Sequence, residues 1–543
     1  MSYTAHVDTF ARDRWPPPPL RPELVFDLPE LAYPARLNCA TELLGGAIAR
    51  GEGDRIAIRS PGGVAWTYRE LDARASRIAH LLVRELGIVP GNRVLLRGPN
   101  TPMMAACWFA VQKAGAIAVA TMPLLRAKEL TDVATKAEVS HALCDVRLAD
   151  ELIAARPGCP TLRRIAMFET DAHEGIERRS AAMPATFDDV ETAAEDTALI
   201  AFTSGTTGKP KGTLHTHRDV IAACDCWPRH TLKATAADVF TGSPPLAFTF
   251  GLGGLLLFPL RIGACALLVE RPSPEALLDV IEKQRPTVLV TAPTSYRAMA
   301  LATPKRELSS LRKCVSAGEA LPAATRKLWK DATGIDIIDG IGSTEMFHIF
   351  ISHPDDDVRP GATGKPVPGY RACILDDDGR PLPAGQVGRL AVKGPTGCKY
   401  LDDPRQANYV QGGWNLTGDA YLVDADGWFV YQARTDDMIV SAGYNIAGPE
   451  VEAALMLHPA VADCGVVGAP DEERGMIVHA FVVLKPGVPG DQGMARTLQE
   501  HVKAAIAPYK YPRAISFVDA LPRTETGKLQ RFKLRTIAKE GKA

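Results

Sequence analysis

The ten residues from Thr203 to Gly212 carry side chains suited to binding a phosphate chain. They read Thr-Ser-Gly-Thr-Thr-Gly-Lys-Pro-Lys-Gly and directly follow an apolar run, Ala198 to Phe202. Glycines let a backbone approach an anion, hydroxyls and amides donate to its oxygens, and lysines offset its charge. The spacing of a Walker A loop is absent. The sequence therefore predicts a strand that opens into a phosphate-binding loop, with a flexible Gly/Thr linker as the alternative.

Later segments add carboxylates and cations suited to nucleotide chemistry. Glu345 is a candidate magnesium ligand, because this hard ion prefers carboxylate oxygen and keeps several waters. Asp419 could accept hydrogen bonds from ribose hydroxyls, although Thr-Gly-Asp is also a common turn. Lys528 offers a compact ammonium that can neutralise charge at phosphorus, or it is an ordinary solvated lysine. The segments concerned are Ser316-Ala-Gly-Glu-Ala320, Asp339-Gly-Ile-Gly-Ser-Thr-Glu-Met346, Thr417-Gly-Asp419, Arg434-Thr-Asp-Asp-Met438 and Pro522-Arg-Thr-Glu-Thr-Gly-Lys528.

The pattern of apolar residues predicts the elements that must position these groups. A chain of 543 residues is expected to form more than one domain. Short apolar runs alternate with amphipathic helices over the first four hundred residues or so, which predicts α/β layers with ligands at the loops beyond strand ends. Turn-rich sequence from Gly361 to Gly394 indicates a small antiparallel β subdomain. After Arg434 a compact tail contains strand and helix patterns of its own.

Taken together and in this order, the segments resemble those of the adenylate-forming (AMP-binding) superfamily, which includes acyl-CoA synthetases, luciferases and peptide-synthetase adenylation domains. The resemblance covers nearly the whole chain. It implies a large α/β N-terminal domain over residues 1–435, with a β-rich subdomain near 361–430. It also implies a small mobile α+β C-terminal domain over residues 436–543, with Asp436 as the hinge.

The resemblance also implies roles for individual residues. Thr344 would contact phosphate or acyl oxygen, Glu345 would hold Mg²⁺, and Lys528 would reach into the site during adenylation. The loop Ser441-Ala-Gly-Tyr-Asn445 would meet coenzyme A through Gly443 and Tyr444. Ile341 occupies the usual aromatic position of its motif, so the resemblance does not extend to stacking on adenine there. The residues that would contact ATP or AMP are Thr203, Ser204, Gly205, Thr206, Thr207, Gly208, Lys211, Gly318, Glu319, Asp339, Gly340, Asp419 and Arg434.

Two segments resemble the acyl pocket of benzoate-CoA ligases. They are Pro244-Pro-Leu-Ala-Phe-Thr-Phe-Gly-Leu-Gly253 and Ser343-Thr-Glu-Met-Phe-His-Ile-Phe350. Phe248 and Phe250 would form aromatic walls, and Gly251 would leave room for a flat ring, unless the aromatic residues are simply core. Phe250 stands where a benzoate ligase is expected to have tyrosine. The missing hydroxyl group would leave room for a ring substituent.

The identity of the acid follows from weaker resemblances. The opening Met1 to Phe10 and the segment Leu37 to Ala40 resemble 2-aminobenzoate-CoA ligases, so 2-aminobenzoate is the expected acid and benzoate the alternative. Neutral His348 would accept from the amine or orient the carboxylate, unless it is structural.

An aryl acid–CoA ligase using ATP, Mg²⁺ and coenzyme A is thus the main hypothesis. The rivals are an adenylation enzyme that loads a carrier protein, a ligase that releases the adenylate, and a non-catalytic ATP sensor. A formal net charge of −1 gives no general attraction to nucleic acid or an anionic membrane. The scattered cysteines indicate reduced thiols, and a cytoplasmic location is expected. The sequence does not decide between a monomer and a homodimer.

Overall fold

A computed structural model describes residues 3–203, 210–303, 306–441, 444–471, 474–524 and 527–540 of the chain. The architecture is mixed α/β, with a large N-terminal domain and a smaller C-terminal one, as the sequence predicts. In these ranges the strands form four sheets.

A six-stranded sheet contains the strand that leads into the phosphate-binding loop. Its strands are parallel except at one edge, where the last two form an antiparallel hairpin that pairs Thr203 with Lys211. The ends of the predicted loop are therefore fixed opposite each other. In spatial order the strands are Arg164–Phe168, His141–Asp145, Arg93–Arg97, Ile117–Thr121, Thr197–Thr203 and Lys211–Thr216.

A nine-stranded sheet carries the motif that contains Glu345. Its central strands are parallel, and Ile337–Gly342 pairs with Lys313–Ser316 on one side and antiparallel with Ile349–Ser352 on the other. Thr344 and Glu345 lie in the connection between Ile337–Gly342 and Ile349–Ser352. In spatial order the strands are Lys365–Pro366, Ile349–Ser352, Ile337–Gly342, Lys313–Ser316, Val288–Thr291, Val239–Gly242, Cys265–Leu267, Ile56–Arg59 and Ala65–Thr67.

Two five-stranded sheets complete the molecule. One is wholly antiparallel, as predicted for the turn-rich region, and consists of Arg371–Leu375, Gly388–Lys393, Val410–Gln411, Trp414–Val423 and Phe429–Arg434. The other belongs to the C-terminal domain and consists of Ile439–Ser441, Tyr444–Ile446, Val461–Asp471, Gly475–Leu484 and Ala514–Phe517.

Helices cover the faces of these sheets. The helix Tyr68–Arg84 begins with a capping box, in which Thr67 accepts from Glu70 N and the Glu70 carboxylate accepts from Thr67 N. The α-helices are Phe10–Asp13, Gly46–Ala49, Tyr68–Arg84, Pro102–Lys113, Ala127–Lys136, Ala149–Ala155, Ile176–Ala181, His217–Asp225, Trp227–His230, Thr249–Leu252, Phe258–Arg261, Pro274–Gln284, Pro293–Ala302, Ala323–Thr333, Gln406–Tyr409, Gly448–Met456, Gln492–Ala505 and Arg531–Glu540.

Shorter turns of other kinds connect the α-helices. Two are π-helical, Thr41–Gly45 and Gly253–Leu257. The 3₁₀ turns are Pro18–Leu20, Pro29–Leu31, Val146–Leu148, Arg156–Gly158, Thr435–Asp437 and Pro508–Lys510. Among the described residues, none of the helices has both the length and the apolar character needed to cross a membrane.

Candidate active site

A chain of hydrogen bonds holds the Glu345 carboxylate. Lys211 donates from Nζ to the Tyr400 hydroxyl at 2.8 Å, and that hydroxyl donates to Glu345 Oε1 at 2.5 Å. The Lys211 ammonium also lies 3.6 Å from Glu345 Oε1. Glu345 is only 7% exposed, so its charge depends on these neighbours. Burial and the adjacent carboxylate raise the pKa of Tyr400, which keeps its hydroxyl a proton donor.

The residue before Glu345 is held through its main chain. His215 Nε2 lies 2.7 Å from the carbonyl oxygen of Thr344, so this nitrogen carries the proton and donates. Its other ring nitrogen is 3.9 Å from Asp219 Oδ2, and the same carboxylate oxygen accepts from Lys399 Nζ at 2.6 Å. Burial lowers the pKa of His215 to about 4, so the ring is neutral at physiological pH.

A second carboxylate site lies in the antiparallel sheet. Asp419 is 8% exposed and accepts from Arg434 Nη1 at 3.0 Å. Arg434 also donates to the carbonyl of Thr417 at 3.1 Å. Burial raises the pKa of Asp419, and the Arg434 charge opposes that rise. Arg434, which the resemblance places in contact with ATP or AMP, is thus held against Asp419.

Asp339 occupies a buried position in the strand Ile337–Gly342, where its parallel pairing with Lys313–Ser316 ends. Its main chain is fixed by Ser352 Oγ, which donates to Asp339 O at 2.6 Å, and by His353 Nε2, which accepts from Asp339 N at 3.2 Å. Burial raises the pKa of the Asp339 carboxyl to about 7, although Arg326 opposes the rise. The protonated carboxyl is therefore available as a hydrogen-bond donor near neutral pH.

The raised pKa of Asp339 predicts a pH dependence of stability. The folded state binds a proton that the unfolded state has released, so this contribution to stability is lost as pH rises from about 4 to about 7. In Asp339→Asn the decline over this window should be shallower, by a few kcal/mol at most. Thermal unfolding of both proteins across pH 4–8, without nucleotide, measures the difference. Parallel curves for the two proteins would contradict a raised pKa at this residue.

Glu319 faces the small domain. Burial raises the pKa of its carboxyl, and the charges that oppose this rise are Arg523, Lys528 and Arg531, all from the C-terminal part of the chain. Lys528 itself is exposed, its backbone N–H donates to Thr524 Oγ1 at 3.0 Å, and within the described residues its ammonium makes no ion pair. Lys528 thus lies near Glu319 and, among the described contacts, makes none to Glu345.

Aromatic rings surround His348. The imidazole centroid lies 5.4 Å from that of Phe250, 4.4 Å from that of Phe258 and 5.6 Å from that of Trp227. His348 Nε2 lies 3.3 Å from the carbonyl oxygen of Phe250, which makes this nitrogen the protonated one. His348 Nδ1 is buried and has no hydrogen-bond partner. Burial lowers the pKa of His348 to about 3, so the free Nδ1 is an acceptor.

The segment Pro244–Gly253 is shaped by backbone contacts. A Cβ at Gly251 would lie 2.1 Å from the carbonyl oxygen of Pro245, so this close approach accounts for glycine there. A flat ring is not needed to explain the residue. A Cβ at Gly253 would lie 2.7 Å from His348 Cδ2, so this glycine makes the space for the imidazole. Asn100 fixes the start of the segment by donating to Pro244 O and accepting from Leu246 N.

Sequence reasoning missed Tyr400, His215, Asp219 and Lys399. A signal for His215 existed, because Lys211, Thr213 and His215 alternate along one strand and so share a face. Tyr400 had no local signal, since it reaches Glu345 only after its own segment pairs with the strand at Thr213. Ser204, Gly205, Thr206, Thr207, Gly208 and Gly443 lie outside the described residues, and for Asp436 and Tyr444 only the backbone is described.

The residues around Glu345 fit Mg²⁺. This ion binds through one or two carboxylates and completes its shell with water and substrate phosphates. Glu345 supplies one such carboxylate, and the ammonium of Lys211 beside it can offset the negative charge of a phosphate. Among the described residues no three His, Cys, Asp or Glu side chains form a cluster that could hold a metal by itself.

Comparison with known proteins gives consistent matches. The AMP-binding enzyme family model matches residues 47–399, and the AMP-binding enzyme C-terminal domain model matches residues 450–528. The benzoate–CoA ligase of Thauera aromatica is 37% identical over 94% of this chain and 97% of its own length.

Two solved structures extend the match to the fold. The anthranilate CoA ligase AuaEII, solved with anthranoyl-AMP, is 36% identical with a TM-score of 0.88, over 94% of this chain and 98% of that one. A benzoate CoA ligase from Burkholderia xenovorans LB400 is 33% identical with a TM-score of 0.83, over 92% and 99%. The chain therefore belongs to the AMP-binding enzyme family, in its group of acid–thiol ligases.

Proposed function

We propose that this protein is an ATP-dependent aryl acid–CoA ligase whose preferred acid is 2-aminobenzoate. The observation that carries the choice of acid is the unpaired Nδ1 acceptor of His348 beside Phe250. The anthranilate ligase with bound anthranoyl-AMP supports the same choice, and the benzoate ligase of Thauera aromatica supports benzoate as the second candidate.

The reaction runs in two half-reactions. A carboxylate oxygen of the acid attacks the α-phosphorus of ATP and displaces pyrophosphate, which leaves an acyl-adenylate. The thiolate sulfur of coenzyme A then attacks the acyl carbon and displaces AMP, which leaves the thioester. Catalysis of the first step rests on charge stabilisation and alignment at phosphorus.

Each residue of the site has a part in this scheme. Loop residues Thr203 to Gly208 and Lys211 bind the phosphates, and Asp419 accepts from ribose with Arg434 orienting it. Gly318, Glu319, Asp339 and Gly340 border the base. Glu345 holds Mg²⁺, which when bound withdraws charge from the phosphate oxygens. Thr344 contacts phosphate or acyl oxygen, and Gly443 and Tyr444 border the thiol path.

Recognition of the acid follows from the geometry around His348. Phe248 and Phe250 are both half-buried, so part of each ring stays available to a substrate, although Gly251 is explained by the backbone alone. An aryl acid without a donor would leave His348 Nδ1 unpaired in this apolar setting, which costs free energy. An ortho amine supplies the missing donor. The same contact would discriminate against benzoate.

His348→Phe tests this assignment, because phenylalanine keeps an aromatic ring against Phe258 and Trp227. We expect kcat/KM for 2-aminobenzoate to fall about tenfold more than kcat/KM for benzoate, as one lost hydrogen bond implies. CoA-dependent AMP release with a panel of acids measures both values. Any general damage, including loss of the bond to Phe250 O, affects benzoate as well and cancels in the ratio.

The panel also tests the function of the wild-type protein. It should turn over 2-aminobenzoate or benzoate better than octanoate or acetate. Better turnover of either aliphatic acid than of both aryl acids would overturn the substrate class. AMP release that does not depend on coenzyme A would instead favour an enzyme that loads a carrier protein or releases the adenylate.

A further inference from the structure

Two consecutive residues, Lys399 and Tyr400, connect the hairpin strand to different neighbours: Tyr400 contacts Glu345, and Lys399 contacts Asp219, which lies beside His215. Their segment pairs with the hairpin strand Lys211–Thr216: Leu214 N donates to Lys399 O at 2.7 Å and Leu401 N donates to Gly212 O at 2.8 Å. In an extended segment, neighbouring side chains point to opposite sides. Tyr400 accordingly reaches Glu345, whereas Lys399 reaches Asp219.

Two routes hold different atoms of the Thr344–Glu345 pair. The Tyr400 hydroxyl accepts from Lys211 and donates to the Glu345 carboxylate, which fixes the side chain. His215 donates to the Thr344 carbonyl, which fixes the main chain one residue earlier. Among the hydrogen bonds of the described residues, two routes connect Thr344 and Glu345 to the hairpin strand: one from Lys211 through Tyr400, and one from His215.

A buried ion pair lies beside His215. Asp219 and Lys399 are both essentially buried, and their 2.6 Å ion pair is completed by Thr216 N, which donates to the same carboxylate at 2.9 Å. A buried ion pair with several partners is costly to rearrange, because removing one member leaves an unpaired charge. The Asp219 carboxylate is therefore a fixed neighbour of the His215 ring. Its Oδ2 lies 3.9 Å from the unprotonated Nδ1, which is too far for a hydrogen bond.

We propose that Tyr400 and His215 are positioning residues for adenylation, with Tyr400 fixing the Glu345 carboxylate and His215 fixing the Thr344 carbonyl. The proposal rests on the proposed function, because it assigns Glu345 to Mg²⁺. Hydrogen-bonding partners of a ligating carboxylate set its orientation, and their loss commonly costs 10- to 100-fold in metal affinity or activity.

Tyr400→Phe is the first test, since it removes one oxygen atom and keeps the ring. Isothermal titration calorimetry should show Mg·ATP binding weakened about tenfold or more, and ATP binding in excess EDTA changed by less than threefold. Tyr296→Phe is the matched control, because Tyr296 is fully buried in another core and its hydroxyl donates to two carbonyls. It should lower Tm without changing Mg·ATP affinity.

His215 is tested with a pair of variants. His215→Leu removes the donor to Thr344, whereas His215→Gln keeps an N–H at a similar distance from the backbone. Mg·ATP binding should weaken about tenfold in the first and recover at least half of that loss in the second. Thioester formation from added 2-aminobenzoyl-adenylate needs neither ATP nor Mg²⁺, so it should stay within threefold of wild type in all these variants.

Two results would overturn the proposal. One is Mg·ATP affinity in Tyr400→Phe and His215→Leu equal to that of wild type. The other is equal loss of both half-reactions with a Tm drop like that of Tyr296→Phe, which would mean a general structural role. If wild type binds Mg·ATP but no aryl acid supports AMP release, the substrate assignment fails, and the calorimetry still decides the roles of Tyr400 and His215.

Discussion

Lys528→Ala is expected to slow acyl-adenylate formation by about 10²- to 10³-fold, the usual effect of removing one preorganised donor from a site of developing charge. The ammonium is proposed to neutralise charge at the α-phosphorus and the bridging oxygen. Thioester formation from added acyl-adenylate should stay within about threefold of wild type, because the lysine is no longer in the site. Pyrophosphate release and single-turnover thioester formation measure the two steps separately.

Lys533→Ala is the matched control for Lys528. Lys533 is an exposed lysine of the last helix, five residues further along the chain, and its ammonium lies 6.0 Å from the Phe532 ring centroid. It should leave both half-reactions unchanged. Equal loss of both steps in Lys528→Ala would contradict a lysine that serves adenylation alone. In the structure Lys528 is exposed near Glu319, and the proposed role requires it to move to the phosphates.

Local patterns predicted the elements well because the groups that decide them are near in sequence. The capping box of Thr67 and Glu70 lies within one helical turn, and the strand Lys313–Ser316 is one buried apolar run between turns. The Glu345 motif could be found for the same reason, since Gly340, Gly342 and Glu345 lie close together in the sequence. Elsewhere the bounds differ by a residue or two: the apolar run Ala116 to Ala120 predicts a strand that the structure has at Ile117–Thr121.

The parts that the sequence could not predict depend on pairing between distant segments. Tyr400 reaches Glu345 across 55 positions of the chain, and Lys399 reaches Asp219 across 180. Nothing near Tyr400 in the sequence distinguishes it from an ordinary buried tyrosine. Gly251 is a different case, because the local motif predicts room for a ring, whereas the carbonyl oxygen of Pro245 already accounts for the glycine.

The link between the domains is proposed to bend at Asp436, and ion pairs on either side support this. Before it, Arg434 contacts Asp419 in the antiparallel sheet. After it, Asp437 contacts Arg535 in the last helix. Thr435 and Asp436 alone separate these anchored residues, in a 3₁₀ turn between two strands. The proposed rotation of the small domain would therefore be concentrated in the backbone dihedrals of very few residues.

Asp436→Pro should consequently separate the two half-reactions. Proline fixes φ near −65° and disfavours the helical region for Thr435. The link would then lose one of the two arrangements that the proposed rotation between the half-reactions requires. One half-reaction should fall by about two orders of magnitude, and the other should stay within a few-fold of wild type. The step that persists identifies the arrangement that proline permits.

Asp436→Ala is the control for the hinge, because it removes the side chain and leaves both dihedrals free. Both half-reactions should stay within a few-fold of wild type in this variant. Loss of the same half-reaction in Asp436→Ala and Asp436→Pro would assign the effect to the carboxylate and not to the backbone. A folded Asp436→Pro protein with normal CoA-dependent turnover would place the hinge elsewhere, and the same pair of substitutions at Thr435 would then locate it.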